Sequence, residues 1–268
     1  MLASSGASEI PETSDADQMQ TGATSKPRTA EMHPGPGLRV RLNRQNSDPA
    51  LIAAFGEFDT TAISDLMNRL FTMSHEIKPL TAPTLKILGP ACTVKVFPGD
   101  NLMVHKSLDI ARPGDVVVVD ASGSSLTAVL GDLVSTKAQH RGIAGFVVDG
   151  LIRDLPAILE LKDFPVFARG VTPIGPLHRG PGEVNYPISA GGIVVSAGDI
   201  VVGDQNGLVV VPQDAAVALL ERLRGRAAVE ADYHAAVARG EFSNSWVDAI
   251  LAEAGVAMEA EPRDPPRV

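Results

Sequence analysis

Apolar positions divide this chain into three stretches of different character. Between positions 48 and 70, "DPALIAAFGEF" and "TTAISDLMNRL" read as two short helices, with Asp48 and Thr60 or Thr61 as N-caps and Pro49 at a first helical position. From Pro90 the pattern turns to short apolar runs broken by Gly-Asp turns: "PGD" at Pro98 to Asp100 and at Pro113 to Asp115, and "AGD" at Ala197 to Asp199. The last two lead into "VVVVD" and "IVVGD", and further strands are predicted at "CTVKV", "AGFVVD", "FPVFARG", "GGIVV" and "GLVVVP". Helices are predicted from about Ser125 to Arg141, where Gly142 supplies the stop, and from Gln213 to about Ala238, with Gly240 following. Strands outnumber helices in the middle, and one long helix closes the domain.

The flanks carry no such pattern. Residues 1 to about 37 are rich in Ser, Thr, Ala, Pro and Gly without aromatics or an apolar period, and are expected to be a disordered extension. Residues 259–268 are expected to be a flexible tail, which leaves a single domain over 38–258. With 268 residues and 44% hydrophobic content the chain can bury a sizeable core. Only 4% of residues are aromatic, so Val, Ile, Leu and Ala dominate the apolar set, which suits β-branched strands packed on Ala/Leu-rich helices and an α/β fold class.

Charge narrows the partners. A formal net charge of -9, with no dense cluster of Lys and Arg, disfavours nucleic acid. No apolar run approaches the roughly 20 residues needed to cross a bilayer. Cys92 stands alone and cannot form an intrachain disulfide, and no targeting signal is visible in a beginning that carries Glu9, Glu12, Asp15 and Asp17, so a cytoplasmic protein is expected. The six histidines show no i, i+4 pair and Cys92 has no cysteine partner, which argues against a zinc site.

Candidate chemistry concentrates in "LGDLVSTKAQHRGIAGFVVDGLIRDL". "DASGSSLTAVLGD" reads as a strand end and a small-residue loop, and the helix that follows points free backbone N–H groups at the loop, a place for a carboxylate. Gly150 leads from the next strand to Arg153 and Asp154. A simple crossover puts both loops at the same ends of neighbouring strands, so Asp132, Arg153 and Asp154 can converge. The same residues also fit a plain surface ion pair, a first-turn acid and, for Asp149, a turn-forming aspartate before Gly150. Pattern alone leaves the function undecided.

Gly131-Asp132, then twenty residues, then Arg153-Asp154 resembles the signature of the 4-hydroxy-4-methyl-2-oxoglutarate / 4-carboxy-4-hydroxy-2-oxoadipate aldolases, a family that also contains the regulator of ribonuclease E activity A. Four ordered blocks extend the resemblance over roughly Thr81 to Asp214: "GDNLMVHKSLDIARPGDVVVVD", "RGIAGFVVDGLIRD", "FPVFARGVTP" and "GEVNYPISAGGIVVSAGDIVVGDQNGLVVVP". The resemblance implies a swivelling β/β/α domain with N-terminal and C-terminal helices, assembled as a homotrimer or a hexamer. It implies that the backbone of Gly131, Asp132, Leu133 and Val134 holds the carboxylate of a pyruvate moiety, that Arg153 contacts the same 2-oxo acid, that Asp154 ligates a divalent cation, and that Asp132 orients water around it. Mg2+, or Mn2+, is the implied cation, since a single protein carboxylate plus water suits an ion that dehydrates reluctantly. The implied activity is class II pyruvate aldolase, with oxaloacetate decarboxylation through the same enolate.

Other residues are weighed against that reading. Lys137, one turn past Asp132, reads as a surface lysine rather than a Schiff-base nucleophile. His105, in "NLMVHKSLDI", reads either as a helix-packing residue or as a border of the pocket. The glycines of "AGGIVV" read as a tight turn. Family aldolases often receive acidic residues from a neighbouring subunit, for which Asp65 and Glu230 are the candidates here. "LFTMSHEIKPLTAPTLK" departs from the family pattern. The alternative function is a protein-binding regulator of ribonuclease type; that regulator lacks an aspartate after its arginine, and Asp154 is present. No Gly-rich fingerprint with an acidic residue at the next strand end supports a nucleotide-like cofactor.

Overall fold

The structure, a computed structural model, describes residues 31–257 except 46, 82 and 83. Of the extension expected over 1–37, residues 1–30 fall outside the described residues, as does the expected tail. Gly35 bridges to Leu38, and Gly37 N–H donates to Glu183 Oε1 at 2.7 Å.

In chain order the elements are β1 (Leu38–Val40), α1 (Pro49–Ala54), α2 (Thr60–Leu66), β2 (Lys78–Pro79), β3 (Ile87–Val96), α3 (Leu102–Ile110), β4 (Val116–Asp120), α4 (Asp132–His140), β5 (Gly145–Ile152), α5 (Leu155–Leu159), β6 (Val166–Val171), β7 (Gly182–Val184), β8 (Ile188–Ala190), β9 (Ile193–Val195), β10 (Ile200–Asp204), β11 (Gly207–Val211), α6 (Ala216–Ala238) and α7 (Ser245–Glu253). Strands β3, β4, β5 and β6 pair in parallel. The connections between them carry α3, α4 and α5, so the chain is α/β at its centre.

Side-chain alternation along the strands builds the layers. Val117 and Val119 of β4 face a core shared with Met103 and Val104 of α3, Val134 and Ala138 of α4 and Ile158 of α5. Val116 and Val118 face the other way, into a core shared with Ile188, Val195, Val201 and Val210 from the later strands. The central sheet is therefore buried on both faces, with helices on one side and β structure on the other, which is the expected β/β/α layering. β3 joins the two β layers. Its Ile87–Pro90 part pairs antiparallel with β10 and its Ala91–Lys95 part pairs in parallel with β4. Leu219, Leu220 and Leu223 of α6, with Phe55 and Ile63 from the N-terminal helices, close the outer side of β10 and β11.

Three local expectations need correction. The helix expected from Ser125 begins only at Asp132, because residues 128–130 spend their backbone bonds on neighbouring segments instead of on a helix. The N-cap of α2 is Asp59 rather than Thr60 or Thr61. Thr60 is already helical, and its N–H and hydroxyl both donate to the Asp204 carboxylate, at 3.0 and 2.8 Å. Asp149 lies within β5, buried, where it accepts from Gly191 N at 2.8 Å and pairs with Arg169 Nε at 2.5 Å. Its place before a glycine suggested a turn, but the strand continues through Gly150 to Ile152. Asp48 does cap α1, accepting from Ala50 N at 2.9 Å with Pro49 in the first turn.

Candidate active site

The loop after β4 does not leave the sheet at once. Val129 N donates to Leu151 O at 3.0 Å, Arg153 N donates to Leu130 O at 3.0 Å, and Ala128 N donates to Ile174 O at 2.9 Å. Residues 128–130 are thus held in extended form between the end of β5 and the loop after β6, which delivers Gly131 against Arg153 and Asp154. The three residues singled out from the sequence converge as expected.

Gly131 caps α4 in an extended conformation, and a side chain there would displace its neighbours. A Cβ on Gly131 would lie 3.0 Å from Arg153 Cγ and 3.3 Å from Arg153 Nε, and closer still to Asp154 Oδ2. Gly175 closes on the same side chain, since a Cβ there would sit 2.5 Å from Arg153 Nη1. Gly131 and Gly175 thus both lie close against the Arg153 side chain. Arg153 Nε pairs with Asp154 Oδ2 at 3.0 Å, with both side chains about two-fifths exposed. Asp154 has φ 55° and ψ 34°, the left-handed region that asparagine and aspartate tolerate better than most residues. This bend ends the strand and turns the carboxylate back over Gly131.

The first turn of α4 supplies the donors. Leu133 N donates to Asp132 Oδ1 at 2.7 Å, so the loop's own carboxylate occupies one of the helix-start amides. Ser135 locks the cap, its hydroxyl donating to Gly131 O at 2.9 Å. Across from these lies a second wall. Asn101 caps α3, and its Oδ1 stands 2.6 Å from His178 Nδ1. His105, one turn into α3, meets the His178 ring edge-on with centroids 5.4 Å apart. Gly131 to Val134, Arg153, Asn101, His105 and His178 together enclose a cavity of about 210 Å³. Burial pushes the His105 pKa below its ordinary value, and the nearby His178 and Lys137 push it further the same way.

His105 is therefore a cavity residue. Asn101 and His178 were not singled out in the sequence. Asn101 carries a faint signal as the residue between a "PGD" turn and a helix, whereas His178 sits in "TPIGPLHRGPG", whose composition marks only a loop. Lys137 is exposed and does not line the cavity, in line with its surface reading. Asp65 pairs with Arg69 at 2.9 Å and Glu230 with Arg226 at 2.5 Å; neither lines this cavity. Among the described residues no group of three or more His, Cys, Asp or Glu could hold a metal ion by itself, and no helix is long and apolar enough to cross a membrane.

The family model for RraA-like proteins, described as Aldolase/RraA, matches residues 60–210. The chain belongs to the RraA-like family. All the cavity residues above fall inside the matched span. A Halalkalibacterium halodurans protein, provisionally named a 4-hydroxy-4-methyl-2-oxoglutarate aldolase, is 43% identical over 177 residues, 66% of this chain and 83% of that protein. Among solved RraA-like structures, Streptomyces coelicolor RraAS2, titled an unusual member of the RNase ES inhibitor RraA protein family, superposes with a TM-score of 0.66 at 29% identity, covering 72% of this chain and 99% of that one. The RNA-processing inhibitor RraA from Thermus superposes with a TM-score of 0.53 at 32% identity, over 58% of this chain and 93% of that one. The family thus includes proteins named for two different activities, and the site has to separate them.

Proposed function

We propose that this RraA-like chain is a divalent-cation-dependent lyase that cleaves 4-hydroxy-2-oxo acids of the 4-hydroxy-4-methyl-2-oxoglutarate type to pyruvate and a second 2-oxo acid, and that it also decarboxylates oxaloacetate. The observation that carries this reading is that the start of α4, Arg153 and Asp132 line one cavity, with Asp154 paired to Arg153 beside it and both side chains close over Gly131. A 2-oxo acid carries its two acceptors side by side. Arg153 would donate to both, and the amides at the start of α4 to the carboxylate once Asp132 gives up Leu133 N.

The residues present fit a hard cation held by few protein ligands. Asp154 is the single carboxylate beside Arg153 and is partly open to solvent, so water and substrate oxygens would complete the shell, as Mg2+ or Mn2+ accepts. When bound, the cation supplies positive charge for the electrons left on the pyruvate fragment. Arg153 would add charge at the same oxygens. Asp132, which lines the cavity, would orient the water that takes the C4 hydroxyl proton.

A protein-binding regulator is the second reading, favoured by the names of the Streptomyces and Thermus relatives. Asp154 weighs against it, because the regulator type lacks an aspartate after the arginine. We also propose a homotrimer or hexamer. The stripe Phe242, Trp246 and Ile250, spaced four apart along and just before α7, is exposed, as such residues are where a further subunit packs; mass by light scattering tests it.

The deciding experiment is pyruvate release from 4-hydroxy-4-methyl-2-oxoglutarate and from oxaloacetate with Mg2+, with Mn2+ and with chelator, comparing wild type with Asp154→Asn. Asparagine keeps the left-handed backbone and removes the charge, so loss of turnover reports on ligation rather than strain. Metal-dependent turnover lost in the variant supports the lyase; absence of turnover with every metal removes it.

A further inference from the structure

A second cavity, of about 360 Å³, opens at the other edge of the central sheet. Asp115, which lines it, precedes β4, and β4 runs from there about 16 Å to Asp120, after which the chain leads to Gly131. The two cavities share no residue. Pro49, Ile52 and Ala53 of α1 form one wall, and Leu88 and Pro90 of β3 with Pro113 before β4 form another. The Pro113 side is held firmly. Gly114 N donates to Gly142 O at 2.7 Å, Ala144 N donates to Asp115 O at 2.8 Å, and Asp115 N donates to Arg112 O at 3.0 Å. That wall is therefore preformed, as small-molecule sites of this volume usually are.

The charged groups of the cavity do not balance. Arg44, Arg112 and Asp115 line it, two cations against one carboxylate, in a chain whose formal net charge is -9. The Arg44 side chain is only 3% exposed, and its Nη2 pairs with Asp115 Oδ1. The other Asp115 oxygen accepts from Arg112 N at 2.5 Å. Arg44 Nε is buried and has no hydrogen-bond partner. Buried polar groups rarely stay unpaired, and a guanidinium is best satisfied by a carboxylate that takes two of its N–H groups. We propose that this cavity is a second ligand site, which takes a small monocarboxylate with an apolar tail. The carboxylate lies against Arg44 and Arg112, and the tail against Ile52, Leu88 and Pro113. One negative charge matches the surplus of one positive charge, whereas a dicarboxylate would bury its second charge among prolines and aliphatic side chains. The site uses none of the residues around Arg153 and does not rest on the lyase reading.

The test is calorimetric titration of the full chain with hexanoate, with its uncharged isostere hexanamide, and with adipate, which carries a carboxylate at both ends of the same chain. Wild type binds hexanoate at least tenfold more tightly than either, because only its carboxylate forms charge-assisted hydrogen bonds without stranding a second charge. Ala53→Trp, at an exposed position on α1, fills the cavity and lowers hexanoate affinity at least tenfold. Arg44→Met combined with Asp115→Asn removes the cation without leaving a buried carboxylate unpaired, and brings the preference over hexanamide below threefold. Arg153→Gln leaves hexanoate affinity within twofold of wild type. Equal affinity for hexanoate and hexanamide, which marks an apolar crevice whose Nε is met by water, overturns the proposal. So does absence of hexanoate binding, equal binding of adipate, undiminished binding in Ala53→Trp, or a full preference in the double variant. Loss of binding in Arg153→Gln overturns it as well, because the anion then sits in the other cavity. Since the readout is binding, absence of pyruvate release removes the lyase reading and leaves this site standing.

Discussion

Gly131→Ala is the sharpest probe of the site, because it adds one methyl group and should disturb nothing but Arg153 and Asp154. Position 131 has φ -147° and ψ -158°, extended backbone that alanine adopts freely, so no strain enters through the main chain. The new Cβ would fall 3.0 Å from Arg153 Cγ and nearer to Asp154 Oδ2, well inside the 3.4 Å at which ordinary contact begins. The carboxylate has to retreat by about 1 Å, a displacement that costs on the order of 100-fold in rate when it affects groups that hold the reacting atoms. That corresponds to about 2.7 kcal/mol of barrier. Both displaced side chains reach solvent, so they move without opening a cavity, and the melting temperature should stay within about 3 °C of wild type. The assay is pyruvate formation from 4-hydroxy-4-methyl-2-oxoglutarate at saturating Mg2+, beside a thermal melt. Activity within threefold of wild type would refute the placement of Asp154 and Arg153 in the chemistry, and a collapsed melt would show that Gly131 serves the fold instead.

Further outcomes follow from groups away from the cavity. Asp149→Ala removes the buried partner of Arg169, leaving that arginine with exposed Glu76, and is expected to cost about 2–3 kcal/mol in urea unfolding, less than a fully enclosed pair because Arg169 reaches solvent. Cys92 is buried and its thiol is pushed up to about 12, chiefly by burial, with Arg44 opposing and Asp115 adding to the shift; a thiol reagent at pH 8 should find no reactive group in the native protein and one after unfolding. At Asp204 burial raises the carboxyl pKa, but hydrogen bonds from Thr60 and Asn206 outweigh it and hold the pKa below its ordinary value. Its contribution to stability is therefore complete above the unfolded carboxylate range, about pH 4, and is lost as pH falls through the lower folded value. Asp204→Asn should consequently be less stable than wild type at pH 6 and show a shallower loss between pH 5 and pH 2; parallel curves would contradict this assignment.

What the sequence determined by itself was whatever depends on near neighbours. The strand runs at "VVVVD" and "GLVVVP", the Asp48-Pro49 helix start and the glycine stops all report steric and hydrogen-bonding preferences that act within a few residues, and the structure places those elements where they were expected. The ordered motif Gly131-Asp132 and Arg153-Asp154 was legible too, because a helix start and a strand end at fixed separation meet whenever one crossover joins neighbouring parallel strands. Tertiary structure decided the rest. Residues 125–131 carry nothing that forbids a helix before Gly131, and residues 128–130 stay out of one because Leu151, Arg153 and Ile174 take their hydrogen bonds. Asp149 looked like a turn former because its partners, Arg169 and Gly191, lie 20 and 42 residues away. His178 joins Asn101 across 77 residues through a loop with no period, so no local preference announces it. The side of the cavity built by one βα crossover was therefore open to sequence reasoning, and the side assembled from distant loops was fixed only when the chain had closed on itself.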